Sequence, residues 1–141
     1  MKGCYCLIIE VDKNQHLKIG KKLDINFKKG YYVYVGSAMN GLESRVKRHL
    51  SKTKKYHWHI DYLLKDNDVI EVIYNIDKQV ECDISQELAK NNELIKDFGC
   101  SDCECESHLY YFKNRKKAIE EVKNAYRSIA CPFRIGISDF S

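Results

Sequence analysis

The chain has 141 residues, the size of one domain around a single core, and 44% apolar with 31% charged residues is an ordinary globular composition. No apolar run approaches the roughly 20 residues of a membrane helix, and Met1-Lys2 leads straight into a strand-like pattern with no apolar leader, so a cytoplasmic protein away from membranes is expected. The net charge of +4 is too modest to name a partner, and seven cysteines, an odd count without secretory context, exclude a disulfide framework.

Cys4 to Val11 (CYCLIIEV) predicts an N-terminal strand, and Leu17 to Phe27 alternates in short pieces around Gly20 as a hairpin would. Tyr31 to Gly36 (YYVYVG) is the most strand-like segment. After Asn40-Gly41, apolar residues at 42, 46 and 50 give a helical period. Lys52 to Lys55 is a polar connection, Tyr56 to Leu64 a short packing helix, and Asp68 to Ile76 a strand. Val80 to Phe98, with apolar positions 84, 88 and 95, predicts a helix closed by Gly99. His108 to Phe112 is a further short strand, and Asn114 caps a last helix with the stripe Ile119, Val122, Tyr126 and Ile129. This order implies one α+β (or α/β) domain over residues 1–141 with a small mixed or antiparallel sheet.

Two strings carry functional information: Gly3-Cys4-Tyr5 on the first strand, and Tyr34-Val35-Gly36 just before the first helix. In that helix Arg45 and His49 are four residues apart, so they stack on one flank beside the apolar stripe. Arg45, Lys47, Arg48, Lys52, Lys54 and Lys55 face only one acid, Glu43, between Gly41 and Ile60, a distribution suited either to a polyanion or to a solvated helix face. Glu81 stands in register with Ile84 and Leu88, where a carboxylate needs a partner or a cation, and its place in a first helical turn favours ionisation. Glu87 lies off that stripe.

The pattern resembles the GIY-YIG nuclease superfamily, known from intron-homing endonucleases and from the incision subunit of bacterial excision repair. The resemblance covers Gly3 to about Gly99. GYYVYVGSAMNGLESRVKRH followed by WHIDYL is similar to an uncharacterised prokaryotic branch that also carries a GCSDCEC segment. It implies a three-stranded antiparallel sheet flanked by helices over 3–99. A cysteine-rich turn and a strand-helix extension would follow over 100–141. It also implies a metal-dependent endonuclease. Tyr5 and Tyr34 would face the scissile phosphate, Arg45 would clamp it, His49 would stand where members carry histidine or tyrosine, and Glu81 would hold one Mg2+ or Mn2+ ion. A tyrosine, Tyr5 by preference, would accept the attacking water's proton, or pass it on to His49 or to the metal-bound water. Ser37, Lys47, Arg48, Lys52, Lys54, Lys55, His57 and His59 are the expected nucleic-acid contacts, with DNA preferred over RNA. A protein partner or a homodimer could lend specificity. The chain departs from the pattern at Ser37, where several members have lysine, and in the extra Gly41. The phosphate-binding asparagine of some members has no clear counterpart, unless Asp102 or His108 folds back to replace it.

Cys100, Cys103, Cys105 and His108 form C-x2-C-x-C-x2-H. These four could close a tetrahedral zinc site, but zinc sites usually draw ligand pairs from separate segments, so a turn with buried thiols is preferred. Cys4, Cys6 and Cys131 lie in apolar patterns as small core residues. Trp58, between His57 and His59, could stack on a base but fits the core better. Two other readings stay open: a nucleic-acid-binding module of the same fold without turnover, and a zinc-stabilised interaction domain.

Overall fold

A computed structural model describes residues 1–99 and 103–141. In chain order the strands are β1 (Gly3–Val11), β2 (Gln15–Ile19), β3 (Leu23–Phe27), β4 (Gly30–Ala38), β5 (Asp68–Tyr74), β6 (Glu93–Leu94), β7 (Leu109–Phe112) and β8 (Arg134–Ile135). The helices are α1 (Leu42–Leu50), α2 (His59–Leu64), α3 (Glu81–Ala89) and α4 (Arg115–Ser128), with a 3-10 turn at Ile137–Phe140. The fold is α+β, and its main sheet is antiparallel with six strands in the order β6-β7-β4-β1-β5-β8. The expectation of three strands is thus corrected: β4-β1-β5 forms the middle, and β7, β6 and β8 extend it.

Both faces of the sheet are covered, which explains why β1 is apolar without alternation from Cys4 to Ile9, before the exposed Glu10. Tyr5, Leu7, Ile9 and Val11 point to one side, where Leu42 and Val46 of α1 and Ile60, Leu63 and Leu64 of α2 complete the core. Cys6 and Ile8 point to the other, against Ile84 and Leu88 of α3 and Ala118, Val122 and Tyr126 of α4. Cys4, Cys6 and Cys131 are buried, as expected. β2 and β3 form the expected hairpin as a separate two-stranded sheet. Asn114 caps α4 as expected, its side chain accepting from Lys117 N–H at 2.8 Å.

A second correction concerns the long helix expected over Val80 to Phe98. It stops at Ala89, because Asn92 turns its amide back to the Leu88 carbonyl at 3.0 Å and the chain then pairs with β7. Among the described residues, no helix is long and apolar enough to cross a membrane.

Candidate functional site

Strand register puts Tyr5 opposite Gly36 and Tyr34 opposite Leu7, so both tyrosines stand on the α1 side of the sheet. Gly36 is required there: a Cβ on it would lie 2.5 Å from Cζ and Oη of Tyr5, so only glycine lets that ring cross β4. Tyr5 Oη reaches His49 Nε2 at 2.7 Å. Burial first, and then the neighbouring Tyr34 phenol, pushes Tyr5 well above its ordinary value despite Arg45 beside it. Burial likewise raises Tyr34, with Glu81 and Asp61 adding to it.

His49 is 2% exposed, and its Nδ1 is a buried polar atom without a hydrogen-bond partner among the described residues. Burial pushes its pKa from 6.5 down to about 3. A depressed histidine contributes stability that is complete above its unfolded value and is lost as pH falls toward the folded one. Unfolding free energy should therefore drop below pH 6.5 by at most about 1.4 kcal/mol per pH unit from this group. His59 and His108, also lowered by burial, act in the same direction. Urea titrations between pH 7.5 and pH 4.5 check this: His49→Gln should flatten the profile, and parallel profiles would reject the assignment.

α1 also supplies Arg45. Its guanidinium donates to the Ser37 carbonyl at 3.0 Å and lies 4.5 Å from the Trp58 ring centre. Trp58 is half-buried and also carries the Arg48 guanidinium at 4.5 Å, so its ring serves as a platform for arginines. His59 Nδ1 accepts from Gly99 N–H at 3.0 Å, which places the neutral ring's proton on Nε2.

Glu81 heads α3, and Ser37 Oγ donates to its Oε1 at 3.3 Å. Tyr5, Tyr34, Arg45, His59 and Glu81, contributed by five elements, line a single polar cavity of about 250 Å3, together with Ser37, His57, Trp58, Cys103 and His108. His49 stands behind it, through Tyr5. Glu87 lies elsewhere and pairs with Lys90. His108 does reach the cavity; Asp102 lies outside the described residues.

Much of the expected basic surface is spent on the fold. Arg48 grips the fully buried Asp61 with both nitrogens at 3.0 Å and donates to the Lys55 carbonyl. Lys54 donates to the carbonyls of Arg48, His49 and Ser51 at the end of α1. Lys52 donates to those of Leu64 and Asn67 and pairs with Asp68. Lys47 pairs with Glu43 at the surface, while Lys55 and His57 are exposed.

The Cys/His cluster has a composition that spacing alone missed. Cys82, Cys103, Cys105 and His108 bring their ligand atoms within 4.8 Å of one another, a set of soft donors suited to a metal such as zinc rather than magnesium. Cys82, from the first turn of α3, joins Cys103, Cys105 and His108 of the expected set; the expected Cys100 lies outside the described residues. Burial raises the Cys82 and Cys105 thiols, and for Cys105 hydrogen bonding with Cys82 and Cys103 adds to it. The signal in the sequence is Cys82, the thiol that follows Glu81, which lies far along the chain from the other three ligands.

No curated protein and no solved structure matches the chain. A family model matches residues 4–131, nearly its whole length, and on that ground the chain belongs to the family described as "Domain of unknown function DUF123".

Proposed function

We propose that this protein is a nucleic-acid phosphodiesterase, an endonuclease of the GIY-YIG type, working in the cavity between β1, β4, α1 and α3. The observation that carries the reading is the convergence of Tyr5, Tyr34, Arg45, His59 and Glu81 on one polar hollow from segments distant in sequence. The resemblance of the Gly3-Cys4-Tyr5 and Tyr34-Val35-Gly36 strings supports it.

The donor chemistry fits a hard cation. Glu81 is the one carboxylate among the described lining residues, and the polar space beside it leaves room for water, which magnesium retains readily. Glu81 would hold Mg2+ or Mn2+, and the ion would supply Lewis acidity to the phosphate. Arg45, held flat by Trp58 and the Ser37 carbonyl, would offer its remaining N–H donors to the phosphate oxygens. The Nε2–H of His59 is a further donor at the same cavity. Because burial keeps Tyr5 a phenol, proton removal is best served by a relay: Tyr5 Oη takes the proton of the attacking water as it passes its own to His49 Nε2.

In a cleavage assay over plain and branched DNA and RNA with Mg2+ or Mn2+, Glu81→Gln should abolish product while circular dichroism stays unchanged. Undiminished cleavage by that variant would remove Glu81 from its role. One observation favours a second reading, a binding module without turnover. A phenol raised by burial and an imidazole held near about 3 are both weak proton acceptors. Salt-dependent binding without cleavage by the unaltered protein would select it.

A further inference from the structure

We propose that Cys82, Cys103, Cys105 and His108 bind one zinc ion, and that this ion fastens the first turn of α3 to the start of β7. The zinc proposal does not require the cleavage reading above, although Cys103 and His108 also line that cavity.

Tetrahedral zinc, with Zn–S near about 2.3 Å and Zn–N near about 2.0–2.1 Å, sets its donors roughly 3.5 Å apart. The four ligand atoms here already lie within 4.8 Å of one another, so a small contraction completes the shell. Three sulfurs and one imidazole form a closed set with no position left for water, which is the mark of a structural rather than a catalytic zinc. The ligands also come from separate parts of the fold: Cys82 from α3, Cys103 and Cys105 from the turn before β7, and His108 from the residue that precedes β7. That separation answers the objection raised by the tight C-x-C-x2-H spacing alone.

The imidazole is already oriented. His108 Nδ1 lies 2.6 Å from Ser85 Oγ, and its Nε2 faces the cluster at 3.1 Å from Cys103 Sγ. With the Nδ1 proton donated to Ser85, the Nε2 lone pair is directed at the metal, the outer-shell arrangement that zinc histidines require. Ser85 sits one helical turn after Cys82, so α3 both ligates the ion and aims a second ligand.

The need for a fastener is local. The N-cap of α3 is Val80, with no side-chain cap hydrogen bond. His108 is meanwhile built into the sheet: its N–H donates to the Phe98 carbonyl and its carbonyl accepts from Val35 N–H, both at 2.9 Å. Gln79 Oε1 accepts from the first N–H of the helix at 3.3 Å, and an ion joining Cys82 to His108 would add a second, stronger tie, between this helix start and the β4–β7 ladder. Glu81, the residue before Cys82, is positioned with it.

The test uses the full chain purified without chelators. Elemental analysis should find about one zinc per chain, and Co2+ added to the stripped protein should give the thiolate charge-transfer and d–d bands of a tetrahedral site. Cys82→Ser and Cys105→Ser should each lose most of the zinc, while Cys131→Ala, altering a buried thiol outside the cluster, keeps it. Stripping zinc should speed amide exchange in 80–89 and 103–109 and leave α4 protected. Absence of zinc together with no tetrahedral cobalt spectrum in the unaltered protein would overturn the proposal, whether or not the variants fold. So would full zinc content in both serine variants, or exchange in α3 that ignores the metal.

Discussion

Asp61→Ala should lower the unfolding free energy by about 3 kcal/mol, a large effect for a polar side chain. Asp61 is fully buried and serves four donors: both nitrogens of Arg48 and the backbone N–H groups of His57 and Trp58 at 2.8 and 2.9 Å. Burial opposes its ionisation, but Arg48 and those two N–H groups outweigh it and hold its carboxyl below the ordinary value. Alanine would strand the two backbone donors and leave the partly exposed Arg48 to water. Asp61→Asn, which keeps an acceptor oxygen, should cost less, and Arg48→Ala less again because the capping bonds survive. Urea denaturation of the three variants and of the double mutant gives the coupling. A loss below about 1 kcal/mol for Asp61→Ala would show the pair to be dispensable. Because Asp61 fixes Trp58, on which Arg45 lies, a structural ion pair stands directly behind the cavity.

Arg45→Ala should reduce cleavage by about 100- to 1000-fold in kcat/KM, the range for loss of a charge-matched donor at a reacting phosphate. The reason is geometric. The guanidinium is held by the Ser37 carbonyl and the Trp58 face, so its fork is set before substrate arrives. Arg45→Lys should recover little, since an ammonium neither stacks on Trp58 in the same way nor presents two parallel donors. Arg45 is only half-buried, so the melting temperature of either variant should move by no more than a few degrees. Turnover within threefold of the unaltered protein would reject the phosphate-clamp role.

The long strands were legible because their side chains alternate into two cores, and Tyr5, Tyr34, Arg45 and Glu81, which the resemblance and the helix registers pointed to, do line one cavity. β6 and β8 were not, since two residues show no period. The false extension of α3 arose because Ile95 happens to continue the spacing of Ile84 and Leu88, while the break depends on Asn92 reaching back to a carbonyl. Net basicity between Arg45 and Lys55 was visible in sequence, but its use was not. Whether a lysine faces water or three backbone carbonyls, as Lys54 does, depends on where the helix end lies in space. Cys82 was hidden for the same reason: only folding brings the start of α3 to the cysteine-rich turn.

The two outermost strands, Glu93–Leu94 and Arg134–Ile135, are each only two residues long. Each of these two strands offers a neighbouring chain only a couple of free backbone groups, and Arg134 at one rim discourages pairing there. Because β8 pairs only with Ile73 and Tyr74, the rest of the outer edge of β5 and the outer edges of the five-residue β2 and β3 are the margins along which a further strand could add.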